Sequence, residues 1–284
     1  MRTFLLFVLT LFMGTSAMAA ASDRPQDWRD VDPQNLVLMD VRYGTIAIEL
    51  SPAFAPKQVA RFKALVRAGF YDNANFYRVI EGFVAQGGRG GAVFPQWPVI
   101  KGEFDRPYGS DVLFSPHGSP DLYAPEVGEV NGFPVGRSPK EKRMWILHCP
   151  GTLAFARGAG ADTAATEFYI VLGEAARQLD RNYTSFGRVI DGMQYVQKLN
   201  RGDPDVQNGV IPLVSQRDPI IRVRMAADVP AMQRPRYQVL RTESAAFAAA
   251  RDARRTPDSP YLVHKPVSAL DICTMPIPVR HPAS

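Results

Sequence analysis

Glycine and proline cut this chain into short pieces, with 22 glycines and 24 prolines among 284 residues. Most apolar residues between these breaks come in runs of strand length. The clearest run, residues 45–50, alternates: Ile46, Ile48 and Leu50 fall on one face, Thr45, Ala47 and Glu49 on the other. That period of two is a strand with two different faces. Tyr43-Gly44 separates it from the apolar run 36–42, so the two read as a hairpin. Pro56 then suits the first turn of a helix, where its missing N–H is no loss. Val59, Phe62, Leu65 and Val66 mark one helical face, and Gly69 ends it.

The rest of the chain is similarly punctuated. Residues 152–156, 167–172 and 183–189 read as strands, 192–199 as a short helix, and 220–225 as a last strand with one wet face. Between them, residues 89–150 carry Pro95, Pro98, Pro107, Pro116, Pro120, Pro125, Pro134 and Pro139, and are expected to be mostly irregular. Residues 236–255 are alanine-rich and helix-prone. The tail from Pro266 is proline-punctuated. Short strands, few helices and glycine turns indicate a mainly β, antiparallel domain, and periodicity alone does not choose between barrel and sandwich.

The first 19 residues, MRTFLLFVLTLFMGTSAMA, combine one basic residue, an apolar core and small residues at Ala17 and Ala19. They read as a secretory signal peptide cleaved near Ala19-Ala20. The apolar run is too short to span a bilayer, so the mature protein is expected to be periplasmic or secreted, without stable membrane insertion. A formal net charge of +5 with no dense Lys/Arg run argues against nucleic acid as a partner. Cys149 and Cys273 fit neither a metal-ligand spacing nor a Cys-x-x-Cys pair. In an oxidising compartment the simple expectation is a disulfide between them, with two buried thiols as the alternative. His117, His148, His264 and His281 are scattered, so the sequence offers no metal site, no cofactor site and no nucleophilic triad.

Residues 76–88, FYRVIEGFVAQGG, hold the chemistry. A strand-like run carries one arginine, Arg78, in its middle, and Gln86 follows just past a turn. Arginine cannot act as a base, but it donates hydrogen bonds wherever electron density rises. One fixed donor among apolar walls, with no nucleophile, suits a reaction without covalent chemistry. Rotation about an X-Pro amide is such a reaction. Its resonance barrier is roughly 18–20 kcal/mol. Twisting localises the lone pair on the proline nitrogen, and a donor aimed there binds the twisted state more tightly than either planar isomer.

This stretch resembles the signature of the cyclophilins, peptidyl-prolyl cis-trans isomerases. The blocks GTLAFARGAGADTAATEFYIVLG (151–173) and LDRNYTSFGRVIDGMQYVQKL (179–199) follow in family order, and the early hairpin with APKQVARFKALVRAGFYD fits the family's start. The resemblance implies a closed eight-stranded antiparallel barrel capped by two helices over residues 36–225. A long insert at about 89–150 interrupts it, residues 20–35 lead in, and a partly helical extension occupies 226–284. It implies Arg78 as catalytic arginine and Gln86 as the amide that holds it. It also implies Phe83 and Val84 as pocket floor and wall, and Ala156, Arg157, Tyr169, Leu179 and Tyr183 as further substrate contacts.

The departures from the family pattern are Gln178, where cyclosporin-sensitive members carry tryptophan, Tyr183 for a common histidine, Glu167 for the usual glutamine, and Tyr169 for phenylalanine. Tyr169 is expected to put a hydroxyl at the rim of the pocket or inside it. The expected activity is isomerisation of proline-containing polypeptides during folding of exported proteins, by a monomer without cofactor or metal. A catalytically weak binding module for a cell-envelope partner is the alternative, and a structural envelope barrel without a proline pocket is a more distant one.

Overall fold

The computed structural model describes residues 24–257 and 259–282, so the signal-peptide reading of residues 1–19 lies outside the described residues. Eight strands close an antiparallel barrel: β1 (Leu36–Val41), β2 (Gly44–Leu50), β3 (Ala74–Val79), β4 (Val84–Gly88), β5 (Thr152–Phe155), β6 (Phe168–Val171), β7 (Ser185–Asp191) and β8 (Asp218–Met225). Around the barrel they run β5-β6-β4-β3-β8-β1-β2-β7, and β7 returns to β5. Closure removes the exposed edges that a sandwich would leave.

Two helices cap the barrel. α1 (Pro56–Arg67) buries Val59, Phe62, Leu65 and Val66, the face its sequence spacing predicts. Phe62 enters the centre of the core, with ring centroids 5.2 Å from Tyr71 and Phe186 and 5.9 Å from Phe168. α2 (Met193–Val196) is a single turn that buries Val196. No helix among the described residues is long and apolar enough to cross a membrane.

The insert departs from the expectation of irregular chain. It forms a five-stranded antiparallel sheet, in spatial order Arg106–Pro107, Arg143–Ile146, Phe133–Ser138, Glu126–Val130 and Ser115–Pro116. Proline density conceals this: Pro107 and Pro116 lie in the two-residue outer strands, where a missing N–H breaks no inner ladder, and Pro134 lies near the start of the middle strand, where its carbonyl still accepts from the Leu147 N–H. Asn131-Gly132 makes the central hairpin, with φ of +50° and +79° at the two turn positions. That dipeptide between Val130 and Phe133 is a strong hairpin signal.

The lead-in and the C-terminal extension meet. Trp28–Asp30 pairs with Gln238–Leu240, which pairs in turn with Val279–Arg280, so one small sheet joins both ends. The helix expected over 236–255 is confined to α3 (Ala245–Arg255). It starts where the Ser244 hydroxyl accepts from the Phe247 N–H at 3.1 Å. Cys149 and Cys273 are joined in a disulfide, with Cα atoms 5.0 Å apart.

Candidate active site

A permanent charge survives in an apolar strand because the strand is bulged. In a regular strand Phe76 and Arg78 would share a face. The β3–β4 register shifts between these two residues. Phe76 and Val79, three positions apart, therefore both enter the core, while Arg78 stays half-buried on the outside. Arg78 lies opposite Gln86 across the hairpin, and its Nη1 donates to Gln86 Oε1 at 3.2 Å. Its Nε donates to the Asn208 carbonyl at 2.7 Å, in a loop that bridges to Arg78 through Val210. Among the described residues, none accepts from Nη2, which leaves a charged donor for a substrate. Half-burial pulls the guanidinium's pKa below its usual value, with Tyr77 and Tyr183 opposing.

Gln86 is oriented from both ends. Its Nε2 donates to the Tyr77 hydroxyl at 2.6 Å, so its carbonyl oxygen must face Arg78. Tyr77 itself is held neutral by burial and by the nearby Glu167 carboxylate, which push its pKa up. Glu167 is buried where the family's usual residue is glutamine, and accepts from the Arg89 N–H at 3.0 Å. Gly88 makes room for it: with φ at +142°, a Cβ there would stand 2.4 Å from the carboxylate.

Beside Arg78 lies an apolar cluster on the outside of the barrel. Val84, Ala154, Tyr169, Val171 and Ala176 are buried in it, and Phe83, Ala156, Leu179 and Tyr183 pack against them half-covered. Tyr169 and Tyr183 meet edge to face at 5.9 Å. Arg157 lies over the Tyr183 ring at 4.5 Å and is anchored by Nε to the Asn182 carbonyl. The structure thus gathers every residue the sequence motifs single out. A neighbouring cleft of about 540 Å³, lined among others by Tyr77, Gln86, Trp97, Ala156 and Glu167, extends the site along β4. A larger cleft of about 810 Å³ opens at the insert junction. Its arginines are engaged: Arg143 and Arg181 bind Asp105, and Arg106 binds Asp111.

Tyr169 resolves differently from expectation, since its hydroxyl is neither at the rim nor inside the pocket. It faces His148, 2.9 Å from Nε2, and burial raises its pKa well above the phenolic range. Sequence reasoning passed over His148, Tyr77 and Asn208. Tyr77 adjoins Arg78 and Asn208-Gly209 is a turn signal, but nothing in the order of residues connects His148 to Tyr169.

The sequence matches the profile of the family described as "Cyclophilin type peptidyl-prolyl cis-trans isomerase/CLD" over residues 36–225, from the first residue of β1 to the last of β8. A "Probable peptidyl-prolyl cis-trans isomerase" of Brucella suis is 30% identical over 223 residues, 78% of this chain and 98% of the relative. "Peptidyl-prolyl cis-trans isomerase B" of Bacillus subtilis is 33% identical over 158 residues, 56% of this chain and 85% of the relative. The crystal structure of cyclophilin AquaCyp293 from Hirschia baltica superposes with a TM-score of 0.74 at 28% identity, covering 92% of this chain and 96% of that one.

Proposed function

Because this chain belongs to the cyclophilin-type peptidyl-prolyl cis-trans isomerases and thus acts on proline-containing polypeptides, we propose that Arg78 supplies its catalytic hydrogen bond. The reading rests on one observation: a half-buried guanidinium, fixed by Gln86 and Asn208, stands beside the apolar cluster of Phe83, Val84 and Tyr169. The cluster receives the proline ring, and Arg78 donates to the amide nitrogen as its lone pair localises. Because Nε and Nη1 are already engaged, the guanidinium is oriented before substrate arrives, and little reorganisation accompanies the twist. Gln86 holds the arginine, while Ala156 and Arg157 line the approach of the residue before proline. No bond to the enzyme forms, so neither nucleophile nor cofactor is required.

A protease-coupled assay on an X-Pro peptide tests this. Arg78→Ala should lower kcat/KM by about 10²–10³-fold, as for loss of a preorganised donor, with an unchanged circular dichroism spectrum. A folded wild-type protein without turnover would overturn the reading. We also propose that the protein works on exported clients after loss of residues 1–19. The signal-like composition of that segment supports this, as does the Cys149–Cys273 disulfide, a bond suited to oxidising compartments. N-terminal sequencing of periplasmic material should begin at Ala20, whereas an intact Met1 would contradict export.

A further inference from the structure

Tyr169 belongs to the cluster that forms the proline pocket, its hydroxyl points away from that pocket, and a buried chain of side chains runs from this atom into the insert and the tail. The hydroxyl lies 2.9 Å from His148 Nε2. Nδ1 of the same ring lies 3.0 Å from Asp180 Oδ1, which also accepts the His148 backbone N–H at 2.7 Å. Asp180 is an acceptor, so Nδ1 carries the proton and Nε2 accepts from Tyr169. Asp180 Oδ2 accepts from Arg177 Nε at 2.9 Å, and Arg177 grips Asp121 of the insert through both terminal nitrogens, at 2.8 and 3.1 Å. Arg177 also reaches Cys273 Sγ at 3.7 Å, and Cys273 is bonded to Cys149, the neighbour of His148.

His148 is completely buried. Ser185 Oγ lies 3.4 Å from its Nε2, which gives a Ser-His-Asp order, but the closer Tyr169 hydroxyl occupies that nitrogen and no solvent reaches the ring. The arrangement therefore serves no nucleophile. It serves Tyr169. A buried hydroxyl without an acceptor is costly, and the Tyr169 ring packs within the cluster that receives proline, so a ring that moves to regain a partner reshapes that pocket.

We propose that His148 is a positioning residue of the proline site: it holds the Tyr169 hydroxyl out of the pocket, and Asp180, Arg177 and the insert hold His148. The proposal builds on the pocket assignment above, so its test separates binding from turnover. His148→Asn keeps a donor near Asp180 but withdraws the acceptor from Tyr169, whereas His148→Gln can still present one. For each variant, KM and kcat are measured on an X-Pro peptide, and Kd for a proline peptide is measured by calorimetry. His148→Asn should raise KM and Kd about tenfold with kcat within about twofold, the signature of lost ground-state binding. His148→Gln should stay near wild type.

The decisive variant is His148→Asn/Tyr169→Phe. It removes the orphaned hydroxyl, so its KM and Kd should match those of Tyr169→Phe alone within about threefold and lie well below those of His148→Asn. A purely structural His148 gives no such rescue, so a double variant as weak as His148→Asn overturns the proposal, as does a His148→Asn that binds like wild type. Should His148→Asn be too unstable to assay, the double variant must still fold and bind, and its failure to do so counts against the proposal. If wild type binds proline peptide but lacks turnover, the catalytic reading falls, while the Kd comparison still decides the role of His148.

Discussion

Arg78 and Gln86 are eight residues apart in sequence and face each other across one hairpin. Because that contact is local, the motif carrying it was legible in the residue order, and so were the apolar positions Phe83 and Val84. The bulge that turns Arg78 outward was not, since alternation alone would direct it inward with Phe76. The direction of the Tyr169 hydroxyl was equally hidden, because it depends on a histidine from another strand's end. Gln178 is exposed at the rim, one residue before Leu179 of the pocket cluster. Cyclosporin-sensitive members of the family this chain resembles carry tryptophan at that position, which offers an indole N–H and a flat apolar face. Glutamine offers little apolar area and loses side-chain freedom when held. Cyclosporin should therefore bind at least about 100-fold more weakly than to a tryptophan-bearing cyclophilin, a gap of about 2.7 kcal/mol. Calorimetry showing equal affinities would contradict this.

At the scale of elements, the barrel strands and α1 could be read from period and punctuation, whereas the insert could not. Three of its strands contain a proline, the middle one included, and their pairing depends on contacts made across the sheet. The Asn131-Gly132 signal was present and was outweighed by proline density. The helix expected over residues 236–244, before α3, failed for a different reason: Gln238–Leu240 is claimed by Trp28–Asp30, and pairing overrides helix propensity. The insert also completes a barrel element. The N-cap residue of α1, Ala55, has no capping side chain, and Glu103 of the insert accepts from the N–H groups of Lys57 and Gln58 at 3.3 and 3.0 Å. A carboxylate there satisfies free donors and opposes the positive end of the helix. Glu103→Ala should cost about 1 kcal/mol, which lowers the melting temperature by about 2–4 °C in a protein of this size. Differential scanning calorimetry checks it, and an unchanged melting temperature would mean that water caps α1 equally well.

At the scale of the whole molecule, insert and ends form a second body against the barrel. Arg29 of the Trp28–Asp30 strand grips Glu49 of β2 at 2.6 and 3.0 Å and reaches the Asn131 carbonyl of the insert hairpin at 2.6 Å. His117 of the insert lies between Glu129 and the Leu270 carbonyl of the tail, and Arg251 of α3 donates to the Pro116 carbonyl. These are polar contacts between parts distant in sequence, and each contributes modestly after desolvation. The covalent link is the Cys149–Cys273 bond, spanning a sequence separation of 124 and set against Trp145, Leu147 and Ile272. Closing a loop of that length restricts the unfolded chain, and loop-closure entropy suggests a stabilisation of about 4 kcal/mol. The double variant Cys149→Ala/Cys273→Ala should therefore unfold at a clearly lower urea concentration. Its tail should also be cut first by protease, because residues 259–268 carry exposed Tyr261, Val263 and Val267 and lose their nearest covalent anchor. Non-reducing peptide mapping of wild-type protein never exposed to reductant should recover the two cysteine peptides joined. Both thiols open to alkylation without reductant, or a double variant with an unchanged urea midpoint, would show that noncovalent contacts alone hold the tail to the insert.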